Sequence, residues 1–238
     1  MSKMQKYILI GEKYVSSLSP TLNSLGFHVI SVPGNPNIDP RLSSHVDLSI
    51  FCADNIIFAA KHLEDSKLNQ FICKAEVKIS FIEENQGEKY PHDAQLNVCL
   101  MGNTFIYNPQ TASSSIVTYL KKQGREGIEC KQGYTRCSVC VVDECSIITS
   151  DHGIAVKCRA AGIDVLETEQ GYIDLQGFGY GFIGGASIKL SDKLLAFSGT
   201  LSKHPQHVQI EEFIKSKGVE IIYLSDLPAF DIGSAIII

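Results

Sequence analysis

The chain has 238 residues, 44% apolar and 20% charged, with a formal net charge of −5; this supports one large or two small buried cores and excludes disorder as the dominant state. No basic block interrupts the acidic balance, which argues against a broad nucleic-acid surface, and no apolar run approaches the roughly 20 residues that span a bilayer. Eight cysteines are too sparse for a disulfide scaffold, and the start MSKMQKYILIGEKY lacks the apolar h-region and cleavage site of a secretory signal, so free thiols in a reducing cytoplasm are expected.

In chain order, residues 7–11 (YILIG) read as a strand, residues 12–26 as a helix ending at Gly26, and residues 27–32 (FHVISV) as a second strand. A unit of strand, polar turn, strand, helix and strand then repeats. Its paired strands are 46–51 with 55–60, 96–101 with 104–108, 138–142 with 145–150, and 186–190 with 193–199. The turns between them fall at Asp54-Asn55, Gly102-Asn103, Asp143-Glu144 and Ser191-Asp192, spaced by 48, 41 and 48 residues. Helices are expected over 61–74, 113–124, 152–162 and 204–218. Gly127, Gly162 and Gly218 lead into the strands that follow, where a left-handed residue suits glycine. Asp151 is expected to cap the helix at 152.

The two ends complete a fifth unit. The N-terminal segment lacks only a first strand, and residues 234–238 (SAIII) are a first strand with nothing after it. Pairing that strand with YILIG closes a five-fold α/β-propeller, a single domain over 1–238 with no free edge between its first and last modules. An open α/β sheet is the rival, but it explains neither the paired strands before each helix nor the orphan final strand.

Five such units in a ring resemble the pentein fold of the guanidino-group-modifying enzymes: arginine and agmatine deiminases, dimethylarginine hydrolases and amidinotransferases. More narrowly, GYTRCSVCVV, the stretch from IITSDHGIA to GIDVL, GYGFIGGAS, HVD and DIGSA resemble an uncharacterised bacterial branch of that superfamily, a family of unknown function. The resemblance implies a central channel where the first strands converge, a nucleophilic Cys near the last of them, and a His at the start of the preceding module. Here the last cysteine is Cys158, the segment in the nucleophile's place reads Asp231 to Ala235, and the segment in the histidine's place offers Gly184, Gly185 and Ala186. The usual thiol–imidazole chemistry is therefore not expected.

Candidate site residues come from the mouths of the first strands: His45 and Asp47, Asp93 and Asn97, Arg136 with Cys137 and Ser138, Ser187, then Asp231 and Ser234. His45 and Asp47 are expected on one face of an extended strand. Asp47 and Asp231 suit a cationic amine or guanidinium, with Asn97, Arg136, Ser187 and Ser234 as further ligand contacts; turn chemistry is the plainer role for Asp and His before a strand. Cys137 and Cys140 form a CxxC without a second half, a weak zinc signal. Cys140 reads as core, whereas Cys137, beside Arg136, is a candidate nucleophile with His45 as its base.

No cofactor motif is present: the glycine-rich stretch 175–187 opens a strand rather than a helix, which fits neither a phosphate loop nor a dinucleotide fingerprint. The leading expectation is a protein that binds a small polar or cationic compound in its channel, with hydrolysis or group transfer at Cys137 as the only reaction in view. The alternative is a non-catalytic interaction module, as the resemblance to pentein-fold ribosome anti-association factors allows. A metal site joining Cys137, His45 and a carboxylate is a third possibility.

Overall fold

A computed structural model describes residues 6–74 and 77–238. Its strands form five three-stranded sheets, each with one antiparallel and one parallel neighbour around a central strand. In the second module β3 (Ile50–Ala53) pairs antiparallel with β4 (Ile56–Ala59), and helix α2 (Lys67–Lys74) carries the chain over to β5 (Lys78–Phe81), parallel to β4. The third module repeats this with β6 (Cys99–Met101), β7 (Thr104–Tyr107), α3 (Ser114–Lys122) and β8 (Glu126–Glu129). After a single helical turn, α4 (Thr135–Ser138), the fourth follows with β9 (Val139–Asp143), β10 (Ser146–Thr149), α5 (His152–Ala160) and β11 (Asp164–Glu167). The fifth has β12 (Ser187–Ser191), β13 (Leu194–Phe197), α6 (His207–Ser216) and β14 (Glu220–Tyr223).

The first module is assembled from both ends of the sequence. Strand β1 (Lys6–Gly11) leads through α1 (Glu12–Ser24) to parallel β2 (Phe27–Val32), and its other edge is taken by β15 (Ile236–Ile237), antiparallel, with Ile8 opposite Ile237. The orphan strand thus closes the ring as expected. Tyr7 and Ile238 exchange both backbone hydrogen bonds, at 3.1 and 3.0 Å.

Packing follows the ring. Helices α1, α2, α3, α5 and α6 each pack against the last strand of their module, and five apolar clusters each bridge two neighbouring modules. Leu9 and Val32 pack with Ile50 and Ile57, Phe51 and Phe58 with Phe105 and Ile116, and Met101 and Ile106 with Val139 and Ile147. Val142 and Ile148 pack with Leu195 and Phe197, and Ile188 and Leu190 with Ile8 and Ile10. The last cluster returns to the first module. No module buries its central strand on both faces without its neighbours, which is the physical reason for one cooperative ring.

Several local expectations are corrected. Residues 46–48 form a 3-10 turn rather than the start of a strand, so His45 and Asp47 are not on an extended face. The second module's helix is α2 alone; residues 61–63 form a separate 3-10 turn. Gly124, not Gly127, holds the left-handed position after α3, with φ +77°, alongside Gly26, Gly162 and Gly218; Gly127 lies within β8. Two hairpin turns fall one residue later than expected, at 144–145 and 192–193, and both hairpins carry a register shift. Asp151 does cap α5, accepting the Ile154 N–H at 2.9 Å.

Candidate functional site

All five modules place residues at the entry to their first strands, and these entries meet at the centre of the ring. Strand β9 touches both β6 and β12, and β15 touches β3. The second module supplies His45 and Asp47, the third Asn97, the fourth Arg136 and Cys137, the fifth Gly184 to Ser187, and the segment before β15 supplies Asp231 to Ser234. The side chains of His45, Asp47, Asn97, Cys137, Asp231 and Ser234 are buried.

Asn97 organises the fourth module's contribution. Its Oδ1 accepts the N–H groups of Arg136 (2.8 Å) and Cys137 (3.2 Å), the free donors at the start of α4, while its Nδ2 donates toward the Cys137 sulfur at 3.1 Å. The Thr135 hydroxyl, 2.8 Å from the carbonyls of Asn97 and Ile106, accepts the Cys99 N–H. Cys137 is therefore held on a helical turn, not at the opening of a strand as its sequence position suggests. Cys140, on β9, is buried in the apolar cluster as expected.

The Cys137 thiol donates to Asp47 Oδ2 at 2.8 Å. Burial pushes the thiol well above its ordinary range, and the nearby carboxylates of Asp47 and Asp231 push it further. Burial likewise raises Asp47; the His45 ring opposes that shift and Asp231 adds to it. Asp231 is better satisfied, since its two oxygens accept the N–H groups of Phe182 and Gly233, each at 2.9 Å. The His45 Nδ1 faces Asp231 Oδ1 at 3.8 Å. His45 Nε2 and Asp47 Oδ1 are buried without any hydrogen-bond partner, an uncommon condition for polar atoms in a core.

Glycine makes this crowding possible. A Cβ on Gly185 would collide with the Asp231 carboxylate, and one on Gly233 with His45. Ser234 follows in a left-handed conformation, φ +59°, rare for a residue with a side chain. Its hydroxyl bridges the Arg136 guanidinium and the Ser187 carbonyl, which holds that conformation in place.

Of the cavities that touch the cluster, two share most of its residues. One, of about 290 Å³, is lined by His45, Cys137 and Asp231 at its floor and by Leu42, Leu48, Tyr134, Leu175, Phe178, Tyr180 and Phe182 at its walls. The other, of about 360 Å³, is lined by Asp47, Arg136, Lys189 and Ser234 among apolar residues of β3. The sequence-derived candidates are thereby sorted. His45, Cys137 and Asp231 share the first cavity; Asp47, Arg136 and Ser234 face the second; Asn97 lies between them as a scaffold. Ser187 lines neither of these cavities; its hydroxyl donates to Gly184 O at 2.9 Å and its carbonyl holds Ser234. Asp93 accepts the Tyr134 hydroxyl at 2.7 Å and orients that wall.

Sequence reasoning missed the aromatic residues around the cluster. Tyr14, whose ring lies 6.3 Å from that of His45, and Tyr134 are both raised above the ordinary phenol range, chiefly by burial. Only the glycine-rich stretch 175–187, with aromatic residues between its glycines, gave a signal, since that composition suits close backbone approach to a ligand or a flexible cover. That cover is fastened by Arg41, which donates to Gly177 O at 2.7 Å and stacks 4.2 Å from the centre of the Phe178 ring.

Comparison with solved structures finds the same architecture across the chain. Dimethylarginine dimethylaminohydrolase from Pseudomonas aeruginosa, in complex with citrulline, is similar at a TM-score of 0.57 and 11% identity, covering 93% of this chain and 92% of that one. An amidinotransferase from Microseira wollei gives 0.58 and 12%, covering 94% and 78%. An agmatine deiminase from C. jejuni gives 0.54 and 11%, covering 93% and 87%. At such identities the likeness shows the fold alone, that of the guanidino-modifying enzymes, as the five-fold repeat implied. No curated protein matches the chain by sequence. Residues 9–236 match the model of a family of unknown function, DUF6873, and the chain belongs to that family.

Proposed function

We propose that the protein binds a small cationic compound, bearing an amine or guanidinium group, in the aromatic-walled cavity over His45, Cys137 and Asp231. The observation that carries this reading is a pair of buried carboxyl groups, Asp231 and Asp47, at an apolar vault whose lining residues include no lysine or arginine. Asp231 forms part of the cavity floor, and Asp47 lies behind the Cys137 thiol. The Arg136 guanidinium, whose charge is felt by Asp47, lines the other cavity and is engaged by Ser234, and that of Arg41 stacks on the Phe178 ring.

A carboxyl raised by burial favours the folded state only while protonated, so an ionised Asp47 costs stability as the pH rises through its folded value. A bound cation reverses that cost. The rings of Tyr134, Phe178, Tyr180 and Phe182 suit a cation on one side and a methylene chain on the other. At about 290 Å³ the cavity is at the small end of ligand sites, which run from roughly 300 to 1,000 Å³, so the compound is of metabolite size.

Any hydrolysis or group transfer at Cys137 requires the thiolate. Two carboxylates oppose it, and a cation seated beside them would offset both. Ligand binding therefore comes before any chemistry at this sulfur. Calorimetric titration with arginine, agmatine, dimethylarginine and simple diamines tests the reading, with uncharged citrulline as control. A cationic member should bind, and Asp47→Asn and Phe178→Ala should each weaken it by roughly tenfold, about 1.4 kcal/mol. Failure of every cation to bind, or binding indifferent to both variants, would overturn the reading in favour of a non-catalytic interaction module.

A further inference from the structure

We infer that His45, Asp47 and Cys137 form a three-ligand site for a divalent transition-metal ion of the zinc class, its remaining coordination position opening into the aromatic-walled cavity. An imidazole nitrogen, a carboxylate oxygen and the sulfur lie within 4.8 Å of one another, all on buried residues. Ligand atoms around a tetrahedral zinc stand about 3.3–3.8 Å apart, given bond lengths of roughly 2.0–2.3 Å. The present spacing, from 2.8 Å between the sulfur and Asp47 Oδ2 up to the 4.8 Å limit, brackets that range.

The second, independent observation is the pair of unpartnered atoms. His45 Nε2 and Asp47 Oδ1 have no hydrogen-bond partner although both residues are more than nine-tenths buried. An organic cation in the aromatic-walled cavity reaches His45 and Cys137, but Asp47 does not line that cavity. An ion the size of one atom, seated between the three, is within reach of them all. It would take the place of the proton that Cys137 now donates to Asp47.

The donor set selects the ion. A thiolate and an imidazole favour zinc, cobalt or nickel over magnesium or calcium, which prefer oxygen alone. The surroundings are those of a built site. Asp231 stands behind the His45 ring on the Nδ1 side, a carboxylate behind an imidazole as in many zinc centres, and is itself fixed by two backbone N–H groups. Asn97 fixes the turn that carries Cys137. With His45 and Cys137 at the cavity floor, the fourth position is open to a ligand rather than closed by a fourth side chain, the arrangement of catalytic rather than structural zinc. The inference rests on the same cluster as the ligand reading but does not need an organic cation to bind. Metal and organic cation would neutralise the same carboxylates and so exclude one another.

Cobalt(II) titration of the chelator-treated, metal-free protein tests the site. One ion per chain is expected, with a thiolate-to-cobalt charge-transfer band in the near ultraviolet and intense visible bands of a four-coordinate ion. Cys137→Ser should lose the charge-transfer band, and His45→Gln, which keeps the thiol, should weaken binding by roughly tenfold or more; far-ultraviolet circular dichroism identifies which variants fold. Absence of saturable binding by the wild-type protein, or a charge-transfer band that persists in a folded Cys137→Ser, would overturn the inference. The guanidino and amino panel is run on the same metal-free protein. An organic cation that binds where cobalt does not defeats the metal site alone, whereas cobalt binding without any organic ligand defeats the earlier reading alone.

Discussion

Cys137 is one of seven free cysteines among the described residues, and its surroundings rather than its sequence neighbours set its chemistry. Adjacent Arg136 suggested a stabilised thiolate, yet the guanidinium turns toward Ser234, and the thiol is raised chiefly by burial, with two carboxylates from distant segments adding to the shift. This combination favours the neutral thiol over the thiolate. Alkylation by iodoacetamide, followed by peptide mass mapping from pH 6 to 10, should label exposed Cys145 first and Cys137 only well above the ordinary thiol range near pH 8.5. Asp47→Asn removes one of the opposing charges and should shift the Cys137 profile to lower pH. Labelling of Cys137 at pH 7 as fast as Cys145 would refute this account. Because the folded value is raised, this group's contribution to stability is present below the ordinary thiol range and lost as pH rises through the folded value.

Among the elements, α3 shows how a cap can come from outside the local sequence. Ser113 stands at the N-cap, where a Ser side chain commonly accepts a helix N–H, but its hydroxyl instead donates to Glu84 Oε2 at 2.8 Å. Glu84, from the connection after β5, accepts the Ser114 N–H at 3.0 Å and brings a negative charge to the helix start. Burial pushes its pKa up, but the hydrogen bonds from its own N–H, Ser113 and Ser114 outweigh that and leave it below the usual carboxylate range. A depressed value means stability present above the unfolded value near 4.3 and lost as pH falls through the folded one. Glu84→Gln should therefore cost roughly 0.3–1 kcal/mol at pH 7 and almost nothing at pH 3, as measured by urea unfolding. An equal cost at both pH values would show that shape, not charge, makes the cap.

For the whole molecule, the decisive feature is that each apolar cluster belongs to two modules and the fifth returns to the first. Closure depends on a short pairing between β15 and β1, in which the Ile238 N–H donates to Tyr7 O at 3.0 Å. Ile238→Pro removes that donor. The loss should be about 1–3 kcal/mol, since a neighbouring acceptor is left without its partner. Chemical denaturation should show it as one cooperative transition shifted to lower denaturant, with hydrogen exchange at the Tyr7 amide speeded. A normal Tyr7 exchange rate and unchanged midpoint would mean that the ring holds without this seam.

The five-fold repeat, the closing strand and the set of residues gathered at the strand mouths were readable from the sequence, because polar turn pairs and apolar strands recur at intervals that local chemistry imposes. His45, Asp47, Asn97, Cys137 and Asp231 could be nominated together only because the repeat places them at equivalent points of different modules. What the sequence did not determine was direction. It did not show the 3-10 turn that redirects His45 and Asp47, the helical turn under Cys137, the departure of Arg136 to a second cavity, or the engagement of Ser187 by its own loop. Nor did it pair Glu84 with a helix thirty residues away. These depend on contacts between modules remote in the chain, and only the closed ring brings their backbone donors, carboxylates and aromatic walls to one axis.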